Sequence, residues 1–187
     1  MKIPNIVTLS RIFLIPVFVI VFYLPGSWTY VASAVIFALA ALSDWLDGFL
    51  ARRLKQTSAF GAFLDPVADK LLVAVALVLI VGHRHLPLEV LPLPAAVIIG
   101  REIVISALRE WMAEIGKRTS VAVSIVGKIK TVVQMIAIVC LLAFQPKGFY
   151  LLGVLGTILL YAAAALTIWS MCVYLNAAWP DLVAREK

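Results

Sequence analysis

Six apolar stretches, near residues 6–25, 28–48, 60–82, 90–113, 121–145 and 149–176, account for most of this chain. Each approaches the roughly 20 residues that an α-helix needs to cross the hydrocarbon of a bilayer. In 187 residues this leaves no length for a separate water-soluble module. Residues 1–187 are therefore expected to form a single all-α membrane domain of six transmembrane helices. Composition agrees, with 64% hydrophobic and 14% charged residues, against about 45–50% and 25% in soluble domains. Asp residues within 42–70 and prolines within 84–94 interrupt the pattern and leave the count between five and seven. The breaks between stretches are short: Pro25-Gly26-Ser27 reads as a tight turn, and polar loops are expected at 53–58, 83–94, 116–120 and 145–148.

The formal net charge of +6 invites a nucleic-acid reading, which its distribution removes. With six spans and the N-terminus inside, all but Arg84 and Lys147 of the 16 basic residues fall on the cytoplasmic side. Basic cytoplasmic loops are the usual mark of membrane orientation, and here they put both termini in the cytoplasm. The same positive face suits anionic lipid headgroups or a phosphorylated substrate. Ile3 to Tyr23 lacks a basic lead and a small-residue cleavage site, and Arg11 interrupts it, so no cleavable signal is expected. Cys140 and Cys172 lie inside apolar stretches without paired spacing, and no disulfide is expected. His83 and His85 lack a third ligand and read as solvated surface. Trp28, Tyr30, Trp169, Tyr174 and Trp179 fall near expected interfaces, where aromatic side chains anchor membrane helices. The alanines at 162–165 permit close helix packing.

Chemistry concentrates in four Asp residues. Asp44 and Asp47 are three apart at the inner end of the second stretch, and Asp65 and Asp69 are four apart at the start of the third. On a helix each pair projects from one side. A short loop makes the two helices antiparallel neighbours with the pairs opposed. An ionised Asp costs about 2.5–3.5 kcal/mol at mid-membrane, less near the interface, and four together also repel one another. Divalent cations remove that repulsion, and an all-oxygen donor set without Cys or His selects Mg²⁺ or Mn²⁺ over zinc. Two plainer explanations compete: neutralisation by Arg52, Arg53 and Lys70, and an ordinary helix start at Asp65-Pro66. Gly48 and Gly61 allow close approach of a ligand or of another helix. Arg52, one turn beyond Gly48, offers a planar fork for a diphosphate. Asn5, Thr8 and Arg11 are spaced three apart on one face of the first helix, an amphipathic lead-in at the cytoplasmic surface.

The spacing Asp44-x2-Asp47-Gly48-x2-Ala51-Arg52-x8-Gly61-x3-Asp65-x3-Asp69 resembles the signature of the CDP-alcohol phosphotransferase family at every position. The resemblance implies a six-helix membrane enzyme, commonly a homodimer, with a polar cavity open to the cytoplasm. It implies that Asp44, Asp47, Asp65 and Asp69 bind two divalent ions, Mg²⁺ or Mn²⁺, and that Asp69 is also the general base. It implies that Gly48, Arg52 and Ser58 hold the CDP moiety, with Asn5, Thr8, Arg11 and Gly61 around the same CDP-lipid site.

A second set of residues bears on the acceptor. Arg101 and Arg109 are eight apart on the fourth stretch and share a face, and Lys128 and Lys130 lie on the fifth. Such cations are costly in lipid unless they turn inward or to the interface, and a cavity lined by Arg101, Arg109 and Lys128 suits an acceptor that carries a phosphate. Residues 100–111 and 117–131, with Pro4-Asn5-x2-Thr8-x2-Arg11, resemble the branch of the family that joins CDP-diacylglycerol to sn-glycerol 3-phosphate in the bacterial inner membrane. Inositol phosphate satisfies the same cavity. A transporter using the carboxylates as a cation or proton relay is the rival class, but it would favour mid-membrane charges and inverted repeats. A non-catalytic scaffold assembled through Asp–Arg pairs is a further alternative.

Overall fold

The computed structural model describes residues 3–54, 59–83, 92–116, 125–146, 148 and 150–183. The described residues form six α-helices and no strand: α1 (Ile3–Tyr23), α2 (Trp28–Leu54), α3 (Ala59–His83), α4 (Pro92–Glu114), α5 (Ile125–Ala143) and α6 (Tyr150–Val183). Each expected apolar stretch contains one helix, so the all-helical class is observed. Among the described residues, only Tyr150–Trp179 of α6 is both long and apolar enough to cross a membrane; Leu9–Tyr23, Trp28–Ser43 and Ile129–Ala143 are shorter apolar segments. Asp44, Asp47, Arg52 and Arg53 occupy the end of α2, and Arg101, Glu102, Arg109 and Glu110 interrupt α4.

The α1–α2 turn forms where Pro25-Gly26-Ser27 requires it. Gly26 adopts φ 120°, a region that L side chains avoid, and the Thr29 hydroxyl donates to the Gly26 carbonyl at 2.8 Å. The proposed helix start at Asp65-Pro66 is corrected: α3 begins at Ala59, so Pro66 lies inside the helix. Without an N–H, it leaves the carbonyl four residues earlier without its helical partner.

The main core is aliphatic and aromatic. Phe18 of α1 packs on Phe22 and, across the helix pair, on Phe37 of α2, with ring centres 6.3 and 6.2 Å apart. Leu72, Leu77 and Ile80 of α3, Ile98 of α4, Ile138 and Leu141 of α5, and Leu160 of α6 continue the core. A second cluster, Ile105, Leu108 and Met112 with Tyr174 and Ala178, joins α4 to α6. The outer surface is apolar as well: Phe13, Val78, Leu93, Ile103 and Leu151 are each more than 60% exposed. Water would penalise such a surface; lipid does not.

α5 and α6 pack closest at Gly156, where an added Cβ would lie 2.8 Å from Cγ of Leu141 and 3.1 Å from Cβ of Cys140. Gly156→Ala is therefore expected to destabilise the fold by about 1–3 kcal/mol through overpacking. A lowered melting temperature in detergent would report it, and an unchanged one would mean that α5 shifts freely.

Candidate active site

The acidic half of the site follows from helix register. Four residues, 55–58, separate α2 from α3, and the two helices pack together. Asp44 and Asp69 each stand ten residues from the loop-side ends of their helices, and Asp47 and Asp65 stand seven and six. At about 1.5 Å per residue, this puts one carboxylate-bearing residue of each helix about 15 Å from the loop and the other about 10 Å from it. Helices that return on each other through so short a connection hold the four Asp positions at two matched heights. The side chains of Asp44, Asp47, Gly48, Arg52, Gly61 and Asp65 lie outside the described residues, as does all of Ser58. Among the described residues, no three His, Cys, Asp or Glu side chains come together. The matched register and the all-carboxylate donor set fit a hard divalent cation.

Asp69 is described, and it has a partner that sequence spacing did not assign to it. Nη1 of Arg11 donates to Oδ1 of Asp69 at 2.6 Å, and the Arg11 side chain is completely buried while that of Asp69 is 39% exposed. α1 packs on α3 at this level, so Arg11 enters the acidic site through the expected general base. Asn5 and Thr8 continue the same α1 face toward its start, and their side chains lie outside the described residues. A buried guanidinium is stable only with its charge compensated. This contact therefore ties the docking of α1 to the orientation of Asp69.

The basic half lies where α4, α5 and α6 meet. Arg101 lies within the buried stripe of α4, between Ile98 and Ile105. Its Nη1 donates to Oε1 of Glu102 at 3.0 Å and its Nη2 to Oγ of Ser170 at 3.2 Å. Nζ of Lys130, only 2% exposed, donates to the same Glu102 oxygen at 2.6 Å. Nη2 of Arg109 donates to the Tyr174 hydroxyl at 3.2 Å. Arg101 and Lys130, both buried, thus share one carboxylate, and Arg109, on the exposed side of α4, is held beside them by Tyr174; the three cations and Glu102 sum to a charge of +2. The Lys128 side chain lies outside the described residues, and Lys130 is the α5 cation seen in the cluster.

Glu102 and Tyr174 were not identified as site residues from sequence. An acidic residue in an apolar helix calls for a buried partner, and that signal was available for Glu102. The position of Tyr174 in the sequence suggests an interfacial anchor. It is 4% exposed, against 55%, 58% and 64% for Trp28, Trp169 and Trp179, because α6 turns it onto α4. An open, mostly apolar groove of about 330 Å³ runs between α3 and α4, with Val67, Lys70 and Leu71 on one side and Ile99, Glu102 and Ile103 on the other.

Known proteins are similar to this chain over nearly its whole length. The family model for CDP-alcohol phosphatidyltransferase matches residues 1–169. A CDP-diacylglycerol–glycerol-3-phosphate 3-phosphatidyltransferase of Yersinia pestis is 59% identical over 183 residues, covering 98% of each chain. Proteins of the same name from Yersinia enterocolitica and Shigella flexneri are 57% and 56% identical, covering 98% and 97% of each chain.

Proposed function

Because the chain belongs to the CDP-alcohol phosphatidyltransferase family, we propose that it transfers the phosphatidyl group of CDP-diacylglycerol to sn-glycerol 3-phosphate and releases CMP. The observation that carries the acceptor is the excess of cations: Arg101 and Lys130 share Glu102, and Arg109 joins them through Tyr174, for a sum of +2. A phosphomonoester dianion matches that charge, whereas a neutral alcohol leaves it uncompensated.

In this reading Asp44, Asp47, Asp65 and Asp69 hold two Mg²⁺ ions, a role their register and oxygen donors suit; Mn²⁺ fits the same donors. When bound, the ions neutralise the diphosphate and stabilise departing CMP. Asn5, Thr8, Arg11, Gly48, Arg52, Ser58 and Gly61 surround the CDP-lipid. Arg101, Arg109, Lys128 and Lys130 take the acceptor phosphate. Asp69, oriented by Arg11, removes the proton from the acceptor hydroxyl. That oxygen attacks the lipid-bearing phosphorus in line, its P–O bond forms, and the P–O bond to CMP breaks. Direct displacement needs no nucleophilic Ser or Cys.

The whole chain acts as one catalytic domain in the inner membrane, with six spans, both termini and the site on the cytoplasmic side, and lipid around the apolar outer surface. The asymmetric basic residues support the orientation. It works as a homodimer; cross-linking in bilayers that captures only monomers would remove this part.

The test is CMP release by purified protein in detergent–lipid micelles with CDP-diacylglycerol and Mg²⁺. Glycerol 3-phosphate is expected to support turnover, inositol, serine and glycerol are not, and chelation is expected to abolish it. Turnover with inositol phosphate instead would keep the family and replace the acceptor. Silence with every alcohol, in protein shown to be folded, would favour a transporter.

A further inference from the structure

We propose that Tyr174, with Ser170, is a positioning residue for the acceptor phosphate, making α6 part of the acceptor site; this rests on the acceptor reading above. Ser170 and Tyr174 are four residues apart on α6, hence on one face, and are 2% and 4% exposed. That face meets α4, whose Arg101 and Arg109 are eight residues apart. The Ser170 hydroxyl donates to the Thr167 carbonyl at 3.1 Å, which directs its lone pairs to Nη2 of Arg101 at 3.2 Å. The Tyr174 hydroxyl accepts from Nη2 of Arg109, and its ring lies 5.7 Å from the guanidinium carbon of Arg101 and 5.3 Å from that of Arg109.

One aromatic ring thus gathers two guanidinium groups that start two helical turns apart. Like charges brought together repel, and the negative face of an aromatic ring is a neutral device that offsets this. A carboxylate in the same place would also hold the arginines, but it would cancel the charge that an anion needs. Glu102 already neutralises one cation, through Arg101 and Lys130. A second acid would halve the excess charge, from +2 to +1. Tyr174 therefore holds the arginines in place and keeps them free to attract phosphate.

The experiment compares Tyr174→Leu, Tyr174→Phe and Ser170→Ala with the wild type by CMP release, titrating each substrate separately. Tyr174→Leu is expected to raise KM for glycerol 3-phosphate about tenfold or more, the scale of one desolvated cation–π contact, with KM for CDP-diacylglycerol unchanged. Tyr174→Phe keeps the ring and is expected to hold the rise to about threefold. Equal rises in both KM values, or a fall in kcat alone, would assign Tyr174 to helix packing and overturn the proposal. So would a Tyr174→Leu enzyme within twofold of the wild type in KM for the acceptor. If Tyr174→Leu fails to fold, Ser170→Ala decides: a several-fold rise in acceptor KM alone supports the proposal, and no rise overturns it. Wild-type protein inactive with glycerol 3-phosphate but active with another phosphorylated alcohol would overturn the acceptor, and the same titrations with that alcohol would still decide the role of Tyr174.

Discussion

Asp69→Asn is expected to lower kcat for CMP release about 10³-fold while the protein stays folded. General-base catalysis contributes about 10²–10⁴-fold, and Asn cannot take the acceptor proton. The substitution is nearly isosteric. Its amide oxygen still accepts from Nη1 of Arg11, which donates to Oδ1 of Asp69 at 2.6 Å in the native protein. A neutral acceptor replaces a charged one beside a buried guanidinium, so the stability cost is about 1 kcal/mol, tempered because Asp69 is 39% exposed. Melting in detergent separates the two effects. A folded Asp69→Asn protein with native turnover would remove Asp69 from the chemistry. Arg11→Met would then still be expected to lower stability, because it deletes the contact that docks α1.

Glu102→Gln is expected to cost about 3 kcal/mol of stability, the lower end for breaking a buried ion pair, since Glu102 itself is 26% exposed. Lys130, 2% exposed, would be left with a neutral partner in an apolar bundle. Lys130→Met is expected to be milder, because Arg101 still compensates Glu102 at 3.0 Å. Combining the two should recover part of the stability lost in Glu102→Gln, since the Lys130 charge has gone while buried Arg101 still lacks its carboxylate. It should not recover function: acceptor KM is expected to stay about tenfold or more above the native value, because the double variant lacks one cation of the proposed acceptor site. Melting and acceptor titration of the two single variants and the double variant check this together. A double variant no more stable than Glu102→Gln would mean that the pair is not the unit holding α4 to α5.

Much of the molecule was legible in the order of its residues. The apolar stretches mark all six helices, because helix length in lipid and in a bundle core is set by how many consecutive apolar residues are available. The Pro25-Gly26-Ser27 turn was equally plain, since only glycine takes φ 120° there without strain. Asp44, Asp47, Asp65 and Asp69 are separated by a short loop, so local helix geometry alone predicts their common height. Arg101 and Arg109 were identified by the cost of charge in an apolar helix.

Other features depend on long-range packing and have no local signal. Arg11 and Asp69 are 58 residues apart, Glu102 and Lys130 are 28 apart, and Arg109 and Tyr174 are 65 apart. Nothing in the spacing says which buried cation meets which carboxylate, because several charge-balanced pairings satisfy the same composition. Tyr174 looked like a membrane-surface anchor because an aromatic residue near a helix end is common to both environments. Spacing was similarly silent on the partner of Lys130, which the rotation of α5 brings to Glu102. The sequence by itself therefore determined the helices, the matched carboxylates and the need for buried charge compensation, all of which follow from helix geometry and solvation. Only the tertiary structure decided the partners, because a helix's rotation about its axis is set by packing against its neighbours.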